Sequence, residues 1–595
     1  MSDVILDRRD LSFQLFEVLD TDTLFQRPRF AEHSRETIEA ALDTAEKLAR
    51  EKFANHNSLA DKDEPTFVDG KVAMLPEVKT AFDAYINAGF LSSRASFEEG
   101  GMQLPEIAAA ACKGMFTCVN PSSTAYAFLT AAAANVIRNF ATDTLKSQFL
   151  EPMMAGRFTG TMALTEPHAG SSLADIRTRA VPQDDGSYRL KGNKIFISGG
   201  DNELADNIVH LVLAKIPGGP EGVKGISLFV VPKYRLDTDG NPGERNDVVL
   251  AGLIHKLGYR GTTSTALTFG DNDDCHGYLV GEAHQGLRYM FQMMNEARVG
   301  VGFGAAVLGY RGYRFALDYA RDRLQGRHPD DADFSKPQVP IIEHADVKRL
   351  LLTQKAYAEA AIAMSFYGYR LVDDIETGNE AAAKDAHLLL DLLTPVLKSW
   401  PSEFGVKAND MAIQVFGGAG YTREYPVEQV WRDNRLNPIH EGTTGVQGMD
   451  LLGRKVWMAN GKGLQLLAQR ILADVEGTTD DRCQPFAQAL KAMLPRVEAA
   501  TAAAGKLMAE QGPRTALSNA NAYLQLMGHT VAAWMWLRQA NAAAALTAPE
   551  DADFAQGKLQ AAQYFFHWEL PRVELDAQRL IDADNTFINM NSRWF

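Results

Sequence analysis

Apolar residues recur three and four positions apart through the first part of the chain, with charged residues between them. The segment RETIEAALDTAEKLAREKF (residues 35–53) shows this spacing. Such a period places the apolar side chains on one face of a helix and the charges on the other. Two adjacent glycines at positions 100 and 101 interrupt the pattern. We therefore predict an N-terminal helical domain over residues 1–157.

The pattern changes near Phe158, where short runs rich in β-branched residues are separated by Gly, Pro, Asn and Asp. The runs are TGTMALTE, SYRLKGNKIFISG, NIVHLVLAKI, GISLFVVP and TALTFGD. Runs of this length and composition are typical of β-strands joined by turns. We predict a compact β-domain of sandwich or barrel type over residues 158–280.

Helical spacing returns after Gly286 and continues to the end of the chain. It predicts a helical bundle over residues 281–460 and an Ala-rich helical extension over residues 461–595, in which Trp534 and Trp536 are the expected packing anchors. The order of helical, β and helical regions predicts an α+β fold with the β-domain between two helical regions.

Composition excludes several classes of protein. A net charge of −15 argues against a nucleic-acid-binding surface, which needs a basic face. The spacing of the four cysteines fits neither a zinc site nor a disulfide framework, so they are expected to be reduced thiols and no metal site is predicted. The N-terminus lacks the features of a signal or transit peptide. The most apolar run, residues 124–137, is shorter than the roughly 20 residues of a membrane span. We expect a soluble cytoplasmic protein without membrane association.

The stretch RDNRLNPIHEGTTGVQ (residues 432–447) carries the leading catalytic candidate, Glu441. A carboxylate beside a glycine is most often a solvated turn residue. Here, however, the Gly-rich, proline-marked segment QVFGGAGYTREYPVE (residues 414–428) comes shortly before it. Together these segments resemble the C-terminal signature of the acyl-CoA dehydrogenase family, in which the Glu of a Tyr-Glu-Gly-Thr stretch is the catalytic base. The resemblance implies that Glu441 is the base, that Gly442 contacts the substrate and that Thr443 contacts the FAD cofactor.

Two segments of the predicted β-domain resemble the flavin-binding segments of the family. The first is MALTEPHAGS (residues 162–171), and the second, FISGG (residues 196–200), stands where the family has Trp-Ile-Thr before glycines. Phe in place of Trp keeps a flat apolar wall, and Ser in place of Thr keeps a hydroxyl. Many members have Asp where this chain has Ser172, which puts a local carboxylate contact in doubt. The resemblance implies FAD contacts from Met162, Leu164, Thr165, Ser171, Phe196, Ile197 and Ser198, with Ser171 also able to contact the acyl-CoA.

The predicted helix after residue 285 contains NEAR (residues 295–298), where many members have Asp-x-x-Arg. One turn places Asn295 and Arg298 on the same face. A solvent-exposed polar face is an equally good interpretation; the resemblance implies that both residues contact the CoA arm. Ala297 stands where isovaleryl-type and some long-chain members carry the catalytic Glu, which favours Glu441 as the base. The glycines at 300, 302 and 304 follow no strand, so close helix packing explains them better than a dinucleotide motif.

ARDRLQGR (residues 320–327) resembles the family's Arg-x-x-Phe-Gly segment, whose Arg reaches the flavin pyrophosphate of a neighbouring subunit, although the Phe is missing here. A guanidinium suits that role because its planar donors pair two oxygens at once. The residues that correspond to this segment, and to the loop that meets the same cofactor across the dimer, are Arg323, Gln325, Gln414, Gly417 and Gly418. The resemblance thus implies a homodimer.

The resemblance covers residues 80–455 and extends to long bacterial members that carry an extra helical region. It implies FAD-dependent oxidation of an acyl-CoA thioester to the trans-2-enoyl-CoA, as in fatty-acid β-oxidation, with electrons passed to an electron-transfer flavoprotein. An acyl-CoA oxidase is the alternative enzyme, although oxidases usually have Asp where this chain has Thr443. A non-catalytic binding protein is the other alternative, against which the intact Glu441 argues. As a base, Glu441 needs a raised pKa, which burial would supply, and the adjacent His440 is expected to be neutral or turned away.

Overall fold

A computed structural model describes residues 4–330, 333 and 335–595, and for residues 291–296 it describes the backbone without the side chains. Within this part of the chain the architecture is helical, then β, then helical, which confirms the predicted α+β class.

The N-terminal region is a layer of helices with one small hairpin. Helix α2 begins with a capping box, in which Ser34 and Thr37 satisfy each other's backbone N–H groups. Its apolar face (Ile38, Leu42 and Ala45) is fully buried, as the spacing predicts. The helices are α1 Arg8–Ser12, α2 Arg35–Leu48, α3 Asn57–Lys62, α4 Pro76–Asn87, α5 Glu106–Val119, α6 Pro121–Phe140, α7 Asp143–Leu145 and α8 Glu151–Met154, and the hairpin strands are β1 Thr66–Val68 and β2 Lys71–Ala73.

The β-region is one eight-stranded sheet with a separate two-stranded ribbon, β8–β9. The strands are β3 Phe158–Ala163, β4 Arg179–Pro182, β5 Tyr188–Ser198, β6 Asn207–Lys215, β7 Ile226–Pro232, β8 Tyr234–Leu236, β9 Pro242–Arg245, β10 Val248–Leu253, β11 Ser264–Phe269 and β12 His276–Leu279. The sheet order is β10-β11-β5-β12-β7-β6-β3, with β4 against β5 and β6, and β3 is parallel to β6. All five predicted runs form strands.

Strands β6 and β7 are mostly apolar and are buried along almost their whole length, because both of their faces are covered. Val209 and Leu211 of β6 pack in a cluster with Ile137 of α6, whereas Val212 joins Leu267 of β11 in a second cluster. The second cluster draws on β5, β6, β7, β10 and β11, so the sheet curls over its own core. Its outer face lies against α6, and this contact positions α6 beside the site described below.

The long helices α9 Gly286–Asp322, α10 Ala345–Thr377 and α11 Glu380–Phe416 form the bundle, followed by α12 Val427–Asn434 and α13 Thr444–Gly453. Helices α9 and α11 run parallel, since contacts between them advance together from Gly302–Leu397 to Tyr319–Phe416. A Cβ at Gly302 would lie 1.9 Å from the Leu397 carbonyl oxygen, so a side chain there would force the helices apart. The predicted packing role is confirmed for Gly302.

The C-terminal extension consists of α14 Lys462–Gly477, α15 Gln484–Gln511, α16 Pro513–Ala516, α17 Ala520–Ala544, α18 Ala552–Tyr564, α19 Val573–Ile581 and α20 Thr586–Asn589. Trp534 and Trp536 are buried and confirm the prediction that they anchor this region. The Trp536 indole donates to the Ala356 carbonyl of α10 at 3.0 Å. The extension therefore packs directly on the bundle.

One hydrophobic core unites the N-terminal helices, the bundle and the extension, from Ile5 to Leu580. The division into domains at residues 157, 280 and 460 stays a prediction. None of the described helices combines the length and the apolar character needed to cross a membrane.

Candidate active site

Glu441 lies in the turn between α12 and α13. Its φ is 53° and that of Gly442 is 87°, so two consecutive residues are left-handed. Gly442 adopts this conformation without steric cost, whereas a non-glycine residue such as Glu441 is held there by its surroundings. The turn is therefore a constrained feature.

Two buried side chains hold the turn by its carbonyl groups. The Lys398 ammonium of α11 donates to the Gly442 oxygen at 2.7 Å, and the Gln447 amide of α13 donates to the Glu441 oxygen at 3.0 Å. Both donors are completely buried. The backbone around Glu441 is thus fixed from two different helices.

The charge state of Glu441 is set by burial against two nearby cations. Burial raises the pKa of its carboxyl group, while Arg298 and Lys398 oppose the shift. The direction and the cause are those that the sequence analysis predicts for a catalytic base. Burial in turn lowers the pKa of Lys398 to about 8.

His440, next to Glu441, is neutral at physiological pH. Burial and the neighbouring Lys398 lower its pKa to about 3. Its Nε2 lies 3.1 Å from the Asn437 side-chain oxygen. The expectation of a neutral imidazole is confirmed, so His440 does not oppose the raised pKa of Glu441.

Arg298 is buried and is not part of a solvent-exposed face. Its guanidinium lies 3.5 Å from the Asp450 carboxylate of α13, and its Nε has no hydrogen-bond partner among the described residues. Arg298 therefore combines a cation and a vacant donor close to Glu441. The side chains of Asn295 and Glu296 lie outside the described residues.

The two predicted flavin segments lie side by side. The Ile195 N–H of β5 donates to the Thr165 oxygen just after β3, at 3.0 Å. The buried Lys194 ammonium joins the same segments, donating to the Leu164 oxygen at 3.0 Å and to the Glu166 carboxylate at 2.9 Å. This ion pair was not predicted; a Lys within an otherwise β-rich run was its only signal.

The predicted flavin-contact residues differ in their exposure. Phe196 is 62% exposed with φ 60°, Ser198 and Ser171 are exposed, and Met162, Leu164 and Thr165 are half-buried. The Ile197 side chain is buried in the sheet core, and its carbonyl accepts from the Thr265 hydroxyl at 2.9 Å, so its side chain does not face the same surface. Many members of the family have Asp where this chain has Ser172. Here Ser172 donates to the Asp175 carboxylate, so the same loop still contains a carboxylate.

Helix α6 lies between the second flavin segment and the part of α9 that carries Arg298. Leu129 lies 3.5 Å from the Cβ position of Gly199, within the second flavin segment. The ring of the adjacent Phe128 lies 3.2 Å from the Cβ position of Gly300, two residues after Arg298. Consecutive residues of one helix thus lie against the flavin segment and against α9 next to Arg298.

The residues predicted to reach across a dimer form a separate exposed patch. Tyr319 at the end of α9 stacks on Phe416 at the end of α11, with ring centroids 4.1 Å apart. This contact joins the segments that carry the patch. On α9 the patch lies about 37 Å from Arg298, at 1.5 Å per residue. The exposed patch residues are Arg323, Gln325, Gln414, Gly417 and Gly418.

The flavin segments fit an FAD ring system. A flat ring needs an apolar wall and hydroxyl groups that can both donate and accept. The exposed Phe196 ring supplies the first, and Thr165 and Ser198 supply the second. Phe196 also has a positive φ, which is uncommon for a bulky residue and indicates that the surrounding structure holds it in this conformation.

Three stretches of the chain match known protein families. Residues 161–272 match the acyl-CoA dehydrogenase middle domain, residues 284–456 match the acyl-CoA dehydrogenase C-terminal domain, and residues 467–591 match the acetyl-CoA dehydrogenase C-terminal-like family.

Relatives match over nearly the whole length. The chain is 35% identical over 584 residues to 3-methylmercaptopropionyl-CoA dehydrogenase of Ruegeria pomeroyi, covering 98% of each chain. It is 34% identical over 606 residues to the broad-specificity linear acyl-CoA dehydrogenase FadE5 of Mycobacterium tuberculosis, covering 99% of each. The fold is similar to an acyl-CoA dehydrogenase of Bacillus anthracis complexed with FAD, with a TM-score of 0.75 at 20% identity, covering 96% of this chain and 92% of that one. The chain belongs to the acyl-CoA dehydrogenase family of FAD-dependent oxidoreductases.

Proposed function

We propose that this protein converts a saturated acyl-CoA thioester to the trans-2-enoyl-CoA, with Glu441 as the base that removes the α-proton. The observation that carries the proposal is a carboxylate whose pKa is raised by burial and whose backbone is fixed by Lys398 and Gln447. A base is most effective when its pKa lies near the working pH, and burial moves Glu441 in that direction.

The backbone of the turn is also proposed to stabilise the developing enolate. Gln447 and Lys398 bind the carbonyl oxygens of Glu441 and Gly442, and these two hydrogen bonds fix the backbone beside the Glu441 N–H. The family resemblance assigns the N–H of Glu441 itself as a donor to the thioester oxygen. FAD, when bound, supplies the acceptor for the β-hydride.

Phe196 is proposed to form one wall of the FAD site. Replacing Phe196 with Ala removes an exposed ring from the end of β5, and we expect FAD to bind about tenfold more weakly, or about 1.4 kcal/mol. The dissociation constant, measured by quenching of flavin fluorescence, checks this. Phe97→Ala removes another exposed phenylalanine, 47% exposed and far from β5 in sequence, and should leave FAD affinity unchanged. Equal affinities for both variants would contradict the assignment of Phe196.

The substrate is proposed to be a linear acyl-CoA or a close sulfur-containing analogue, as the names of the two full-length relatives suggest. The test is anaerobic turnover with saturated acyl-CoAs of increasing length and with 3-methylmercaptopropionyl-CoA. Mass spectrometry should show a product that has lost two hydrogen atoms. The chain length with the highest kcat/KM identifies the substrate class, and no such product from any member of the panel would refute the proposal.

The electron acceptor is proposed to be an electron-transfer flavoprotein. Thr443 stands where oxidases usually have Asp, which supports a dehydrogenase over an oxidase. The reduced enzyme should then reoxidise slowly in air and rapidly with an electron-transfer flavoprotein. Rapid reoxidation by oxygen alone would make the protein an oxidase.

A homodimer is proposed because the exposed patch around Arg323 and Gln414 lies at the far ends of α9 and α11, away from the turn that carries Glu441. At 1.5 Å per residue, Arg323 lies about 37 Å along α9 from Arg298, and Gln414 lies about 24 Å along α11 from Lys398. The same patch can contact the cofactor of a second copy in an isologous dimer. Analytical ultracentrifugation tests this, and a monomer that binds FAD fully would contradict it.

A further inference from the structure

Lys398 is a charged side chain deep in the bundle, in the middle of α11. It is completely buried, and its ammonium donates to the neutral Gly442 carbonyl at 2.7 Å. A neutral donor could make that hydrogen bond, and burying a positive charge is costly unless another charge compensates it. The hydrogen bond alone therefore does not explain why a cation occupies this position.

Among the charged groups around Lys398, Glu441 is the carboxylate that it compensates most strongly. Glu441 is the group that most favours the charged form of Lys398; Glu403, about one turn further along α11, favours it less, and Arg298 disfavours it. Arg298 of α9 is engaged with Asp450, which also accepts from Arg454 at 2.8 Å. Glu403 accepts from the Gln525 side chain of α17.

Gln447 is an uncharged counterpart of Lys398. It holds the neighbouring carbonyl of the same turn, that of Glu441, at 3.0 Å. Gln447 therefore fixes the backbone without contributing a charge. Comparing the two residues separates fixation of the turn from the electrostatic effect on the carboxylate.

We propose that Lys398 is a positioning residue with two effects: its hydrogen bond fixes the Glu441–Gly442 turn, and its charge keeps the Glu441 carboxylate ionised in a buried site. This inference rests on the proposed role of Glu441 as the base. Lys398 holds no substrate atom; it acts through Glu441.

The test is the pH dependence of kcat/KM for anaerobic flavin reduction by a saturated acyl-CoA, measured with FAD-loaded protein. Lys398→Met should shift the acidic limb of the pH profile to higher pH by about one unit, because Lys398 holds the carbonyl of the residue next to Glu441 and a nearby opposite charge lowers a carboxyl pKa. Lys398→Gln should give the same shift with a smaller loss of rate, since it keeps a donor. Lys398→Arg should leave the limb where it is in the wild type.

Two controls separate charge from structure. Gln447→Met should lower the rate without moving the limb. Lys407→Met removes a cation from the same helix, where Lys407 lies over the Phe404 ring at 3.8 Å, and should change neither quantity. Infrared difference spectra against Glu441→Gln give a second readout, because they follow the protonation of the Glu441 carboxylate directly. In Lys398→Gln, Glu441 should become protonated at a higher pH than in the wild type.

A wild-type limb position in both Lys398→Met and Lys398→Gln, with unchanged infrared titration, would overturn the proposal. Equal shifts in Gln447→Met and Lys398→Met would also overturn it, because fixation of the turn would then explain the whole effect. If no acyl-CoA reduces the wild-type flavin, the proposed function fails, and the infrared titration still decides whether Lys398 controls the ionisation of Glu441.

Discussion

Replacing Glu441 with Gln should lower the rate of flavin reduction by an acyl-CoA by about 10³-fold, within the range for loss of a general base. The amide has nearly the same shape as the carboxylate, so the turn held by Lys398 and Gln447 should remain intact, but it cannot accept the α-proton. FAD should bind as in the wild type. Anaerobic stopped-flow measurement of flavin absorbance checks both expectations.

Glu424→Gln is the matched control, because Glu424 is an exposed carboxylate in the segment that precedes the catalytic turn. It should reduce its flavin at the wild-type rate. In the wild type, the rate should fall as the pH falls through a carboxyl pKa above the usual value for Glu, since burial raises the pKa of Glu441 and the protonated acid cannot act as a base. A Glu441→Gln variant within tenfold of the wild-type rate would show that another group is the base.

Replacing Lys558 with Met should destabilise the protein by about 3–5 kcal/mol, the usual cost of leaving buried charges without their partner. The Lys558 ammonium of α18 is completely buried and donates to Asp10 of α1 at 2.5 Å and to Glu359 of α10 at 2.8 Å. It also lies 3.3 Å from the Gln539 side-chain oxygen of α17. Its loss leaves two buried carboxylates with less compensation, at the point where the extension meets the N-terminal helices.

Urea unfolding followed by circular dichroism measures this effect. Lys491→Met is the control, because Lys491 is exposed on α15 of the same extension, and its stability should stay within about 0.5 kcal/mol of the wild type. A loss below about 1 kcal/mol for Lys558→Met would mean that the extension is not held to the rest of the protein by this network.

Local patterns were sufficient to predict much of the fold. The mostly apolar runs of β6 and β7 predict strands, and both faces of these strands are buried. The spacing in α2 predicts its buried face. The short strands β4, β10 and β12 were not predicted. Strand β12 is defined by pairing with β7 and β5, which lie much earlier in the chain, whereas β4 and β10 pair with the next strand along the chain and were missed because they are short.

The candidate site likewise contains residues that a local motif predicts and residues that it does not. Glu441, the direction and cause of its pKa shift, and the neutral state of His440 follow from a local motif and its chemistry. Lys398 was not predicted, because it meets Gly442 from 44 residues away on another helix. The pairing of Lys194 with Glu166, which are 28 residues apart, was missed for the same reason. Residues that support a site are therefore visible only once the chain is folded.

The central claim is that the Glu441 turn and the two flavin segments form a site that dehydrogenates an acyl-CoA. The most direct test is an anaerobic titration of the FAD-loaded protein with saturated acyl-CoAs, followed at the visible flavin band near ~450 nm. We predict that at least one acyl-CoA bleaches this band in the wild type and leaves it unchanged in Glu441→Gln on the same timescale. A yellow, correctly folded protein whose flavin no acyl-CoA reduces would contradict the claim.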